Sequence, residues 1–285
     1  MREFIGAIFD YRFMQHAALA GVLASIACGV AGTYVVVKRI SFISGGIAHA
    51  VLGGMGIAYY LNADPLLGAI VSALVAAVVL GVVKIRVHQH EDTIIGALWA
   101  IGMAIGVIFV YLTPGYSVDL MSFLFGSILM VSRQDIMIMV GLNAVILVLT
   151  VLFYRQLLAV CFDEEYARLR GLKVDIIYIL LLCMVALTVV TLIRVVGLIL
   201  VMALLTLPAA IAGLFASNLG KMMLVASCLG LVFTFTGLAV SFQADLPSGA
   251  VIILVAALGY LIAVSLRAVI SRVATRRSSR QSMPI

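Results

Sequence analysis

The chain has 285 residues, 65% of them hydrophobic and 11% charged, with a formal net charge of +6 at pH 7. A water-soluble domain carries roughly 25% charged residues to face solvent, so this composition excludes a soluble enzyme or binding module and leaves side chains that face lipid or one another. The basic excess falls in short clusters between apolar runs, as in membrane loops, without the basic–aromatic interleaving that reads nucleic acid. The lipid bilayer is therefore an expected partner and nucleic acid is not.

A helix needs about 20 apolar residues to cross a ~30 Å hydrocarbon core. In chain order the qualifying runs are residues 14–37, 43–61, 66–83, 93–113, 136–154, 176–193, 195–216, 222–242 and 249–266. The expected fold is all-α: a polytopic transmembrane helical bundle of about nine spans, forming one domain over residues 1–285. The segment before the first run mixes Arg2, Glu3, Asp10 and Arg12 with apolar residues and lacks the design of a cleaved signal peptide. Gly46, Ala50 and Gly54 make a ladder of small residues on one face of the second span, and Gly102 and Gly106 form a GxxxG in the fourth. Small residues let helix backbones approach closely in lipid. After the fourth span, Tyr116–Ser132 is apolar but interrupted by Asp119 and Gly126, and it reads as a re-entrant or interfacial segment.

Asn62-Ala63-Asp64-Pro65 and Asp245-Leu246-Pro247-Ser248-Gly249 carry turn chemistry between spans. Placing the loop after the first span in the cytoplasm, and alternating from there, puts Lys38, Arg39, Lys84, Arg86, Arg155, Arg168, Arg170, Lys173 and Lys221 inside. Arg267, Arg272, Arg276, Arg277 and Arg280 join them. The positive-inside rule then sets the N-terminus outside and the C-terminus in the cytoplasm of a multi-pass cell-membrane protein. Residues 268–285 form a basic cytoplasmic tail, with 276–285 expected to be disordered beside an anionic leaflet.

Within the spans, His49 stands out. It lies about six residues into the second run, at a depth where an ionisable group needs a partner or a water-filled path. Neutral imidazole is a common ligand for zinc and similar ions, although a histidine bonded to a neighbouring helix is the alternative. Gly45, Gly46, Gly53 and Gly54 around it are expected to leave room for a cavity. The loop from Lys84 to Asp92 holds His88, His90, Glu91 and Asp92. It reads as a solvated turn, with Asp92 and Thr93 capping the next helix, rather than as a metal site. Cys28, Cys161, Cys183 and Cys228 share no metal-ligand spacing and read as small packing residues.

The longest charged stretch, residues 155–175, places Phe162, Tyr166 and Leu169 at helical spacing opposite Asp163, Glu164, Glu165, Arg168 and Arg170. It reads as a short amphipathic helix ended by Gly171. Its acidic first turn disfavours adhesion to anionic lipid, leaving docking on a protein partner. The sequence has no HExxH, GxSxG or P-loop, so any ATP-driven work belongs to a separate chain.

In these residues the chain resembles the metal-transporting ABC importer permeases, the zinc, manganese and iron type called the ABC-3 family. The resemblance covers nearly the whole length. It rests on Phe13-Met14-Gln15, on Val36 through Phe42, and on Gly46-Ile47-Ala48-His49-Ala50, which is similar to the family's ALSHA-type segment. Leu124 through Leu129 resembles LFGxxL, and Phe162-Asp163 through Ala167 and Gly171-Leu172 resembles FDxxxAxxxGL. Val196-Gly197, Leu204-Leu205, Leu207-Pro208-Ala209-Ala210 and Asp245 through Gly249 complete it.

The resemblance implies a permease of the type II ABC importer kind, with no permanently bound cofactor and a divalent metal ion as cargo. It also implies a cytoplasmic ABC ATPase dimer, an extracytoplasmic metal-binding protein and a second permease copy, identical or different. Phe162, Asp163, Glu164, Glu165, Ala167 and Gly171 would dock the ATPase, and His49 would belong to a metal-coordinating gate. Many members carry an aspartate four residues before that histidine, where this chain has Gly45. Loss of a hard oxygen ligand tilts the expectation from manganese or iron toward zinc, with Asp119 a candidate replacement ligand. Three alternatives stand beside this reading: a permease for a haem or siderophore chelate, a secondary ion transporter, and an intramembrane hydrolase using Ser41 or Ser44 with His49.

Overall fold

The structure is a computed structural model that describes residues 6, 9–86, 91–113, 126–198 and 201–281, and its regular elements there are all helical. Long apolar sequence in lipid satisfies its backbone hydrogen bonds within the segment, and the helix does so. The helices are α1 (Arg12–Lys38), α2 (Ser41–Tyr60), α3 (Pro65–Arg86), α4 (Glu91–Leu112), α5 (Arg133–Leu152) and α6 (Tyr154–Phe162). They continue with α7 (Glu164–Leu169), α8 (Val174–Val196), α9 (Val201–Phe215), α10 (Leu219–Ala244) and α11 (Ser248–Gln281).

Among the described residues, eight helices are long and apolar enough to cross a membrane: α1 to α5, α8, α10 and α11. The expected run 195–216 is divided. Gly197 ends α8 at φ +76°, and the described part of α9 covers 15 residues, about 22 Å at 1.5 Å per residue. Both Gly197 and Leu198 are buried, and non-helical backbone at membrane depth is tolerated where protein covers it. Hydropathy saw one continuous apolar run because it does not register a change of backbone direction.

Helix α1 packs on α10, α9, α8 and α5, while α2 lies between α3 and α4; α8 joins the two groups through α1 and α3. On the α1–α10 seam Gly21 meets Thr234, Gly29 meets Ser227 and Gly230 meets Ser25. Positions rise on one helix as they fall on the other, so the pair is antiparallel.

One end of the bundle collects the basic clusters. Lys38, closing α1, pairs with Glu164 of α7 and donates to the Val160 carbonyl at 2.7 Å. Lys84, near the end of α3, lines a cavity with Glu164, Arg168 and Asp175. The Tyr154 hydroxyl sits against Gly220, beside Lys221 at the start of α10. The opposite end carries the two expected turns. Asn62 and Asp245 there adopt positive φ (55° and 54°), which these residue types tolerate. Asp64 Oδ1 accepts from the Leu66 amide at 2.9 Å, and Ser241 Oγ donates to the Leu246 carbonyl at 2.6 Å.

Three local expectations change. The 155–175 stretch is two helices, α6 and α7, because Asp163 is extended (φ −152°, ψ 101°) and turns its carboxylate to cap α7. Asp92 lies within α4 (Glu91–Leu112) rather than at its cap, and the residues before Glu91 lie outside the described residues. Helix α11 continues to Gln281, so residues 276–281 are helical rather than disordered. No Gly or Pro, the residues least compatible with a helix interior, falls within residues 260–283. Of Tyr116–Ser132, residues up to 125 lie outside the described residues. The remainder is Gly126 at φ +60°, a 3-10 turn over Ile128–Met130, and Ser132, which forms a capping box with Asp135.

Candidate functional site

His49 is eight residues beyond the first residue of α2, about 12 Å along its axis. It is 7% exposed. Its ring stacks on Trp99 of α4, with centroids 3.8 Å apart and planes 9° from parallel. That stack fixes the ring's plane. The Nδ1 atom is buried and has no hydrogen-bond partner among the described residues, a condition that costs about 1–3 kcal/mol and that few buried polar atoms in folded proteins show. This nitrogen carries a lone pair or proton that no described group satisfies.

The neighbouring glycines do not open the cavity that the sequence suggested. A Cβ on Gly53 would stand 2.9 Å from the Gly102 carbonyl oxygen, and one on Gly56 would stand 2.6 Å from that of Gly106. Gly54 is closed by the Gly68 carbonyl and Ser72 of α3, and Gly46 by Ile95 of α4. Backbones of three helices therefore touch around α2. The glycines hold the histidine's helix in place rather than clearing space beside it. Gly102 and Gly106 act in the same seam.

Gly45 is different. The position of its missing Cβ is 3.2 Å from Met202 Sδ of α9 and 3.7 Å from the Trp99 ring. Ser44 Oγ donates to the Ser41 carbonyl at 2.7 Å and lies 3.4 Å from Met202 Sδ. Neither Met202 nor Trp99 was singled out from the sequence. No spacing relates position 45 to position 202, and a lone tryptophan in an apolar run carries no chemical signal. Among the described residues, no group of three or more His, Cys, Asp or Glu side chains is placed to hold a metal ion. Asp119, His88 and His90 lie outside the described residues, and Asp92 is exposed on α4.

A second cluster lies at the basic end of the bundle. Phe162 (68%), Tyr166 (48%) and Leu169 (87%) are exposed, whereas Ala167 is fully buried. Asp163 accepts from the Tyr166 amide at 2.9 Å, and Glu164 and Glu165 fill the first turn of α7, where acidic groups suit the helix dipole. Gly171 ends the element at φ +77°, and Arg168 pairs with Asp175 at 2.8 Å. A groove of about 630 Å³ runs between Phe162, Tyr166, Arg170 and the outer side of α6. The sequence-predicted residues Phe162, Asp163, Glu164, Glu165, Ala167 and Gly171 thus fall in one short segment, far from His49 in the chain.

Beneath this segment lies Cys161. Burial pushes its thiol up to about 11, with Lys38 opposing and Glu164 adding. A thiol so placed is protonated at pH 8 and hidden, so maleimide labelling of Cys161 is expected only after unfolding. Mass spectrometry that finds Cys161 modified in the native protein would contradict this packing. Cys28 is buried as well, Cys183 is partly buried and Cys228 is exposed.

Known proteins share this architecture. The profile of the ABC 3 transport family matches residues 10–267. An uncharacterised membrane protein of Synechocystis is 49% identical, covering 94% of this chain and 95% of that protein. A manganese transport system membrane protein of Halalkalibacterium halodurans is 34% identical over 89% of this chain and 87% of that one. Among solved structures, PsaBC of Streptococcus pneumoniae, in complex with a Fab, matches with a TM-score of 0.84 and 34% identity. The match covers 92% of this chain and 94% of that one.

Proposed function

Because the chain belongs to the ABC 3 transport family, we propose that it is the membrane permease subunit of an ATP-driven importer of a divalent transition metal, zinc first and manganese second. The observation that carries the site is His49 Nδ1, buried and unpartnered at mid-helix depth on a ring held flat by Trp99. A permease binds its ion weakly, since a closed four-ligand site would trap it, and a single buried imidazole whose Nδ1 has no described partner suits a transient station. Zinc is preferred over manganese because the described surroundings of His49 offer nitrogen and sulfur rather than carboxylate. Manganese comes second on the name of the Halalkalibacterium relative, and iron third.

The cargo enters from an extracytoplasmic metal-binding protein, passes His49, and leaves inward as ATP binding and hydrolysis on a separate ATPase dimer rock the helices. Two permease copies form the pathway. The N-terminus lies outside, and the basic end of the bundle, with the tail over residues 268–285, lies in the cytoplasm. There the 155–175 loop acts as the coupling segment, and Phe162, Tyr166 and Leu169 supply the apolar contact with the ATPase.

The test is ATP-dependent uptake by the permease–ATPase complex in liposomes, with zinc and manganese offered separately. Zinc is expected to enter faster. Uptake of neither ion sinks the assignment, and faster manganese uptake reverses the order of the two metals.

Lys38 fixes the coupling loop to α1 through Glu164 and the Val160 carbonyl. Hydrogen bonds to charged groups contribute roughly 1.5–3 kcal/mol, and the low end applies because Glu164 is partly exposed. Lys38→Met is expected to lower metal moved per ATP hydrolysed about tenfold. An unchanged ratio would remove Lys38 from the coupling path.

A further inference from the structure

The side chain of Met202 occupies a position that nothing in the sequence assigns to it. It enters from α9, just beyond the Gly197 break, and its sulfur lies 3.2 Å from where a Gly45 side chain would begin. Gly45 and His49 are four residues apart on α2, and such positions share one helix face with Cβ atoms ~5–6 Å apart. The thioether therefore reaches the face that bears the imidazole. Two further observations bear on what it does there. Ser44 Oγ, anchored on the Ser41 carbonyl, lies 3.4 Å from the sulfur. The Trp99 ring stacks on His49 and also lies 3.7 Å from the Gly45 Cβ position, so it borders both sites.

We infer that Met202 is a specificity-determining donor, its thioether over Gly45 joining the His49 imidazole in a two-donor soft station on the metal path. Thioether and imidazole suit zinc and softer ions, whereas manganese prefers carboxylate and carbonyl oxygen. A glycine at position 45 leaves the space that the sulfur fills. A side chain at position 45 would press on the thioether at about its Cβ, so the pair Gly45–Met202 sets the donor type. This inference rests on the reading of His49 as a transport ligand.

The experiment uses the complete permease–ATPase complex in liposomes, with zinc, cadmium and manganese as the probe ions. Met202→Leu keeps apolar volume and removes the sulfur. The zinc-to-manganese and cadmium-to-manganese uptake ratios are expected to fall about tenfold, the low end of the loss when groups supporting a metal ligand are removed. Gly45→Asp adds a carboxylate against a flexible side chain and is expected to shift the same ratios toward manganese. Ratios within one preparation are insensitive to how much protein folds. Unchanged ratios in both variants overturn the role of Met202 while leaving the transport reading intact. A wild-type complex that moves none of the three ions overturns the transport reading itself.

Discussion

Replacing His49 with alanine is expected to reduce ATP-dependent zinc uptake about a hundredfold, equivalent to roughly 2.7 kcal/mol, while the protein still reaches the membrane. The substitution removes a nitrogen that has no hydrogen-bond partner among the described residues, so it breaks no hydrogen bond described there. What it does remove is the stack on Trp99, 3.8 Å away, and the buried volume of the ring. Loss of a buried ring leaves a cavity, so some loss of thermal stability is expected alongside the loss of transport. Trp99→Ala separates the two effects, since it opens the same stack from the other side and keeps the imidazole. That variant is expected to retain a measurable part of zinc uptake. His49→Ala with normal zinc and manganese uptake would falsify the role of the histidine.

The second large effect concerns folding. Gly54→Leu is expected to destabilise the protein by about 3 kcal/mol or more, the upper part of the range for overpacking. The reason is what surrounds position 54: the Gly68 carbonyl and the Ser72 side chain of α3 occupy the space of a Cβ. A flexible side chain can swing away from such a contact, but backbone cannot. Helix α3 would have to separate from α2, and Gly68, which itself meets the Gly54 carbonyl and Ala58, would lose its own contact. Thermal unfolding of the detergent-solubilised protein measures this. A melting temperature equal to that of the wild type would mean that α2 and α3 are not pressed together at this point. Gly141 is the control, since nothing lies within 4 Å of its Cβ position, and its replacement by leucine should change little.

These two positions also show how far the sequence could be read. The spans were legible because a charge-free run of twenty residues is itself a physical statement about the bilayer. His49 was legible for the converse reason, as an ionisable group in such a run. The small residues of α2 were visible too, but their meaning was inverted. A glycine beside a functional residue suggests room, and only the approach of α3 and α4 shows the room to be filled by backbone. Met202 and Trp99 were not legible, because their roles arise where α9 and α4 meet α2, and no periodicity spans 158 residues. The division of 155–175 into α6 and α7 depends on Asp163 choosing to cap rather than continue the helix. Hydrophobic spacing is blind to that choice. Asp119, considered as a further ligand, lies outside the described residues.

The short helix α9 bears on how the chain is made. A segment of 15 residues preceded by a turn at Gly197 is shorter than the ~30 Å apolar layer requires, and its interior Pro208 weakens it further. Released alone from the translocon, it would leave unbonded peptide groups in hydrocarbon, each costing several kcal/mol. In the finished protein, α1, α10 and α11 cover it. Of these, α10 and α11 are synthesised after it. The expected order of insertion is therefore that α8 to α11 leave the translocon together, with α9 sheltered by its neighbours until α11 is complete.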